Sequence, residues 1–184
     1  NNPSKMIDIK RLFDFPYYQL ETHNLKAAFV SKKNGEWVNT STKKYLEEAN
    51  ALSRALLKLG VQKNDKIAVI STTNRTEWCI VDIGILQIGA QNIPIYPSIS
   101  SEDYEYVLNH SQATYCFVSD QDVLDKVLKV KANTELKDVY SFDQLKDCKN
   151  YSVLLEMGQD TSTQNEVEAR KKEVKETDLA TIIY

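Results

Sequence analysis

The chain has 184 residues, of which 42% are hydrophobic and 27% charged, with a formal net charge of -3. That length can bury a proper core as one domain, and the acid excess gives no electrostatic case for nucleic acid or an anionic membrane. The five Phe and ten Tyr are scattered with no basic stripe between them, so they read as core aromatics rather than a stacking platform.

Residues 1–25 read as an arm. It opens with NNPSKMIDIK, which has no apolar secretory core, and continues through the aromatic stretch Arg11–Tyr18 as irregular chain or a short helix. Lys26–Ser31 and Glu36–Asn39 flank Lys32-Lys-Asn-Gly35, and Asn-Gly between two β-like runs predicts a hairpin. Asn39–Thr42 supplies caps for a helix whose apolar face is Leu46, Ala49, Leu52, Leu56 and Leu59, and Gly60 stops it. Lys43, Glu47, Arg54 and Lys58 form its solvated face.

The rest of the chain is organised around the stretch from Lys66 to Pro97. Lys66–Ser71 is an Ile/Val-rich run, as in a strand buried on both faces, and Ser71–Asn74 is a polar turn that offers caps. Thr76–Gly89 is apolar almost all round, which predicts a buried helix closed by Gly89. Gln91–Tyr96 is a second β-run, kept short by Pro94 and Pro97 and ending near Tyr96. Strand, buried helix and strand make a βαβ unit, the seed of a parallel sheet.

Beyond the turn Ser98–Ser101, Glu102–Asn109 predicts a helix with Tyr106 and Leu108 among its packing candidates. Ala113–Ser119 predicts a third strand. Asp120–Lys131 predicts an amphipathic helix showing Val123, Leu124, Val127 and Leu128. Asp138–Tyr140 reads as a short fourth strand, and Phe142–Met157 as a helix with a turn. Residues 158–177 form a polar surface connector, with Glu166–Arg170 and Glu168–Lys172 spaced to pair on an exposed helix. Leu179–Tyr184, introduced by Asp178, reads as another buried strand. The βα alternation argues an α/β, doubly wound, mainly parallel sheet.

A search for chemistry returns little. No two of the five glycines are adjacent, so neither a GxGxxG nor a P-loop is present, and Gly84 reads as a site of close helix–sheet packing. His23 and His110 have no second ligand at a recognised spacing, and His110 suits a helix C-terminus as a cap. Glu102, Asp103 and Glu105 favour the start of their helix. Cys79, Cys116 and Cys148 are odd in number and lack a CxxC, which implies neither a disulfide frame nor a zinc site and fits a reducing cytosol. Asp82, the charge in the middle of the buried helix, is either a satisfied buried carboxylate or faces out through a gap; the outward reading is preferred. No apolar run approaches the roughly 18 residues of a bilayer span. No residue is assigned a catalytic, cofactor-binding or metal-binding role.

The order and wording of the segments nonetheless resemble the opening part of the AMP-forming acyl-CoA synthetases, the adenylate-forming superfamily. Trp37, the helix Tyr45–Leu56 and Leu59-Gly-Val61 look like the family's first helix and its exit. Lys63-Asn-Asp-Lys-Ile-Ala-Val69 resembles its G-D-x-V-A-I strand, with Asn64 in place of Gly. Asn74-Arg-Thr-Glu-Trp78, Gly89-Ala90 and Ile93-Pro-Ile-Tyr-Pro97 are similar to the wording of long-chain fatty-acid CoA ligases, as is the opening Leu12–Glu21. Asp178–Tyr184 looks like the strand that leads into the family's phosphate loop.

The resemblance implies an enzyme that uses ATP, Mg2+ and CoA to activate a fatty acid through an acyl-adenylate. It implies that this chain is the N-terminal portion of the AMP-binding domain. Residues 1–40 would form an arm and hairpin, 41–157 βα units, 158–177 the connector, and 178–184 the strand before the phosphate loop. The catalytic parts would lie after Tyr184, leaving the fragment inactive alone and binding no cofactor. A cytoplasmic location, peripheral membrane contact and self-association through an exposed edge at Leu179–Tyr184 are compatible with it. The alternatives are a ligase of another acid in the superfamily and a non-catalytic α/β binding module.

Overall fold

The computed structural model describes residues 8–184. Helix α1 (Asp14–Thr22) leads to a hairpin of β1 (Phe29–Lys33) and β2 (Glu36–Thr40). Asn34 and Gly35 at its tip have φ of 50° and 87°, the two positive values that let a two-residue turn follow the strand twist. Helix α2 (Thr42–Lys58) begins at Ser41, whose Oγ accepts from the Lys44 N–H at 3.1 Å. Leu46, Ala49, Leu52 and Leu56 are buried, as their spacing predicts.

A βα succession comes next: β3 (Lys66–Ile70), α3 (Thr76–Leu86), β4 (Gln91–Ile95), α4 (Ser101–Ser111), β5 (Tyr115–Val118), α5 (Gln121–Val130), β6 (Asp138–Ser141) and β7 (Lys149–Asn150). The sheet runs β4-β3-β5-β6-β7 with every pairing parallel. Alternation along the strands sends Ile67, Val69, Tyr115, Phe117 and Tyr140 to one face, where Leu52 and Leu56 of α2 and Val81 and Ile85 of α3 meet them. Ala68, Ile70, Cys116 and Val118 pack on the other face against Tyr104 and Leu108 of α4 and Leu124 and Val127 of α5. Each fully buried Leu or Ile in these layers contributes about 1.5–3 kcal/mol. Helices on both faces make the sheet doubly wound.

Helix α3 is apolar all round because it faces two clusters. Val81 and Ile85 meet the sheet, while Ile80, Ile83 and Leu86 join Phe13 of the arm with Tyr45 and Ala49 of α2. Gln87, fully buried, ties these elements: it accepts from the Tyr17 hydroxyl at 2.8 Å and donates to Ser53 Oγ at 2.7 Å.

Several details differ from the sequence expectation. Gly84 permits a helix–helix approach, not a helix–sheet one: a Cβ there would lie 2.8 Å from Leu52 Cδ2, and Ser53 donates to the Gly84 carbonyl at 2.7 Å. Asp82 does not face out; it is half-buried and accepts from Asn92 Nδ2 at 2.7 Å. Tyr106 is 64% exposed, and α4 packs through Tyr104, Val107 and Leu108 instead. Leu128 points outward and Val130 inward, because the buried stripe of α5 is narrow.

The polar stretch after residue 157 is anchored. Helices α6 (Ser152–Met157) and α7 (Gln164–Glu173) lie against α2, with Leu154 and Val167 fully buried. Arg54, read as solvated, donates to the Gly158 carbonyl and to Gln164 Oε1, each at 2.7 Å. Glu166 pairs with Arg170 at 3.4 Å as spaced, whereas Glu168 pairs with Lys171 at 3.6 Å rather than Lys172.

The terminal run Leu179–Tyr184 touches β4 through a single parallel bridge, Asn92 with Thr181, and not as a full buried strand. The Asn92 N–H donates to the Ala180 carbonyl at 3.0 Å, and its carbonyl accepts from the Ile182 N–H at 3.3 Å. Pro94 gives the reason. Alternate residues of β4 face β3 and the outer edge, so the outward bond after Asn92 falls to Pro94, which has no N–H.

Candidate functional site

In an open parallel sheet, the crevice beyond the carboxyl ends of the strands, where the winding reverses, is the place left free for ligands. Here the chain leaves β3 for β4 on one side and then crosses to β5 on the other side of β3, so the reversal lies between β3 and β5. The loops after β3, β5 and β6 therefore meet at one place. Apolar strands end there in polar residues: Ser71–Arg75, Ser119–Asp120 and Asp143.

Their contacts are closely specified. The Thr72 N–H donates to Ser119 Oγ at 3.0 Å and the Thr72 hydroxyl to Asp120 Oδ2 at 2.5 Å; Ser119 donates to the same oxygen at 2.8 Å. Asp120 Oδ1 also accepts from the Val123 N–H, capping α5. Burial alone would raise the Asp120 carboxyl, but the Thr72 and Ser119 hydroxyls outweigh it and hold it below the usual range.

Arg75 ties the loops together. Its guanidinium donates to Asp143 Oδ1 at 2.6 Å, to the Ser119 carbonyl at 3.2 Å and to Glu77 Oε2 at 2.9 Å, and it lies 5.6 Å from the Phe142 ring centre. Glu77, only 4% exposed, spans Arg75 and Lys33 of the hairpin, whose Nζ is 2.9 Å from Oε1. Burial would raise the Glu77 carboxyl, yet the Lys33 and Arg75 hydrogen bonds hold it below its ordinary value. Residues 74–78, Asn-Arg-Thr-Glu-Trp, thus fasten the first βα loop to its neighbours.

An open cavity of about 660 Å3 lies against this loop, lined by residues 71–75, Trp78 and Cys79. Helix α3 starts at its rim with no side-chain cap, so the hydroxyls of Ser71–Asn74 do not cap it as the sequence suggests; Ser71 bonds the Thr73 carbonyl instead. Arg75 is committed to two carboxylates, and burial pushes the Cys79 thiol up, away from thiolate chemistry. The arrangement can position loops and present hydroxyls. It holds no nucleophile–base pair.

A second cavity of about 510 Å3 separates the arm from residues 174–180, with Leu12, Phe15, Leu86 and Leu179 on its mainly apolar wall. Among the described residues, no group of three or more His, Cys, Asp or Glu could hold a metal. Arg75 and Glu77 fall within the Asn74–Trp78 wording that carries the family resemblance, whereas Thr72, Ser119, Asp120 and Asp143 follow from no motif. Their signal was a polar residue directly after each apolar run.

The other candidates lie elsewhere. His110 is within the last turn of α4, stacked on Tyr106, with Nδ1 2.6 Å from the Tyr184 hydroxyl. It does not cap that helix; Gln112, in the left-handed region at φ 58°, ends it. His23 follows α1, far from the crevice in the chain. Glu102 and Asp103 occupy the first turn of α4 beneath the Ser100 cap.

The sequence profile described as "AMP-binding enzyme" matches residues 17–184. The chain is 28% identical over 173 residues, 87% of its length, to Fatty acyl-CoA synthetase A of Dictyostelium discoideum, covering 25% of that protein. It is 36% identical over 84 residues, 46% of its length, to the long-chain-fatty-acid–CoA ligase FadD15 of Mycobacterium bovis, covering 14% of it. Its fold matches the crystal structure of a long-chain-fatty-acid-CoA ligase, FadD1, from Archaeoglobus fulgidus. The TM-score is 0.69 at 18% identity, over 94% of this chain and 34% of that one. The chain thus spans about a quarter of the length of the first of these relatives.

Proposed function

The chain belongs to the AMP-binding enzyme family, and from that premise we propose that it is the N-terminal part of a long-chain fatty-acid–CoA ligase. The observation that carries the fatty-acid assignment is the run of relatives named as fatty acyl-CoA synthetases and long-chain ligases. The Asn74–Trp78 and Ile93–Pro97 wording supports it. In the proposed reaction a fatty-acid carboxylate attacks the α-phosphorus of ATP and expels pyrophosphate. The thiol of CoA then takes the acyl group from the resulting acyl-adenylate and AMP leaves. Charge develops on the phosphate oxygens, and stabilising it is the main catalytic demand.

The described residues do not fit the groups that would meet that demand. They include no cluster able to hold Mg2+, and no adjacent glycines that would bring backbone N–H groups onto the phosphates. In this reading their role is to build the first sheet of the large domain. Arg75 and Glu77 fix the loops at the switch point, residues 178–184 lead toward the phosphate loop, and ATP, Mg2+ and CoA are held outside this stretch. The 184 residues alone are accordingly inactive.

The test is fatty-acid-dependent exchange of labelled pyrophosphate into ATP by the native gene product, across a panel of short, long and aromatic acids. Exchange driven by long-chain acids is expected. Exchange driven only by aromatic or short acids would replace the acid while keeping the family, and no exchange with any acid would leave a non-catalytic α/β module.

A further inference from the structure

The Asn34-Gly35 pair closes the β1–β2 hairpin and carries a chemistry that the fold does not use. Of the chain's asparagines, Asn34 alone precedes a glycine. Both residues are exposed, and the last ladder pair is Lys33 with Glu36, so neither belongs to a strand. Among the described residues, the Asn34 side-chain amide and the Gly35 N–H make no hydrogen bond. A Cβ at Gly35 would meet nothing within 4 Å, so the space around its nitrogen is open. Asn64, the other asparagine in the left-handed region at φ 68°, is better held: its N–H donates to the Gly89 carbonyl at 2.8 Å, and Asp65 after it carries a side chain.

We propose that Asn34 deamidates without an enzyme and that its isoaspartyl product releases Lys33 from Glu77. The Gly35 backbone nitrogen attacks the Asn34 side-chain carbonyl carbon, giving up its proton as the new C–N bond forms, and the amide nitrogen leaves as ammonia. Water then opens the cyclic imide. Breaking the new C–N bond leaves Asp. Breaking the imide's bond to the backbone carbonyl leaves isoaspartate, with the chain running through the Cβ and Cγ of residue 34. Glycine favours the step because no Cβ shields its nitrogen and its backbone turns freely. Ring closure needs Asn34 to leave its turn geometry, and at the tip of a two-stranded ribbon only the Lys33–Glu36 pair has to open.

Isoaspartate lengthens the backbone of a turn whose two residues fit the strand twist, so the register beside it is lost. Lys33 sits at that register, with Nζ 2.9 Å from Glu77 Oε1. Either product also places a carboxylate next to Lys33 that competes for its ammonium. Glu77, 4% exposed, then keeps Arg75 as its cationic partner and loses Lys33. The hairpin tip is thereby linked chemically to the loops at the switch point. The inference does not depend on the ligase assignment.

The test is incubation of the 184-residue chain at mildly alkaline pH in water enriched in heavy oxygen, followed by tryptic peptide mapping. The peptide of residues 34–43 is expected to exchange NH for labelled oxygen at Asn34, with isoaspartate detected by enzymatic methylation. Asn34→Gln should lose the exchange. Isoaspartyl protein purified from the mixture should show a lower urea midpoint than the parent at neutral pH. In a Lys33→Ala background that drop should shrink, because the ion pair is already gone. An unconverted Asn34, under conditions that convert a free peptide of residues 30–40, overturns the proposal. So does an isoaspartyl form as stable as the parent, or a drop of the same size with Lys33→Ala.

Discussion

Replacing Gly158 by Ala tests the anchoring of the polar stretch onto α2. Gly158 has φ -77°, a value open to any residue, so backbone conformation offers no objection to the change. Space does. A Cβ at that position would sit 1.8 Å from the Ala51 carbonyl oxygen and 2.5 Å from its carbon, where ordinary contact begins at 3.4 Å. The obstacle is helix backbone, so no rotamer change can relieve it. The end of α6 must move off α2, and the 2.7 Å bond from Arg54 Nε to the Gly158 carbonyl is stretched with it. Overpacking costs about 1–3 kcal/mol when side chains can yield, and a rigid neighbour puts this case near the top of that range. The lower entropy of the unfolded Ala chain returns about 0.4–1 kcal/mol. The net expectation is a loss of about 2 kcal/mol in urea unfolding followed by far-UV circular dichroism. Gly84→Ala is the comparison. There the close atoms all belong to the Leu52 side chain: the Cδ2 tip at 2.8 Å can rotate, while Cβ and Cγ at 3.1 Å ask α2 to give by a few tenths of an ångström; the gain in helix propensity is about 1 kcal/mol, so Gly84→Ala should stay within about 1 kcal/mol of the parent. A Gly158→Ala protein as stable as the parent, or less damaged than Gly84→Ala, would refute this packing argument.

Glu77→Gln should cost about 2 kcal/mol, the worth of hydrogen bonds between charged groups, because Arg75 and Lys33 lose a shared carboxylate. Its carboxyl is held below the ordinary 4.5, so that contribution is present above pH 4.5 and lost as pH falls through the folded value; a pH series of urea midpoints should show parent and variant converging in acid. Asp82→Asn should have the opposite sign. Burial raises the Asp82 carboxyl above 3.8, against the Asn92 hydrogen bond, so its contribution to stability is full below pH 3.8 and lost as pH rises through the folded value. The variant should accordingly gain on the parent toward neutral pH, and a variant less stable at pH 7 than at pH 4 relative to the parent would contradict the burial argument. Asp120→Ala removes the α5 cap and the Thr72 tether and should cost about 1–2 kcal/mol by thermal melting.

The fold was legible where one physical signal dominated. The period of α2, the Asn34-Gly35 turn, the apolar runs of β3 and β5 and the all-round apolarity of α3 each predict their element. Partner choice was not legible. Gly84 shows the need for a close approach but not which neighbour approaches, and Asp82 shows a charge amid apolar residues without naming Asn92. The apolar packing of α7 comes from Val167 among polar residues, a signal too thin for any period, and its tie from Arg54 to Gln164 has no sequence signature. Leu179–Tyr184 has a strand's composition, yet its pairing is limited by Pro94 on another element. The switch-point cluster was hidden for a similar reason: Arg75, Ser119 and Asp143 are far apart in sequence and meet only because strand order brings three loops together.

The proposed activity is activation of a carboxylate through an acyl-adenylate. Its most direct test supplies the native gene product with ATP, CoA and a long-chain fatty acid carrying heavy oxygen in its carboxylate, followed by mass spectrometry of the nucleotide products. Attack of the carboxylate on the α-phosphorus predicts that one labelled oxygen appears in AMP. Label in orthophosphate with ADP as the product, or thioester formation with unlabelled AMP, would contradict it.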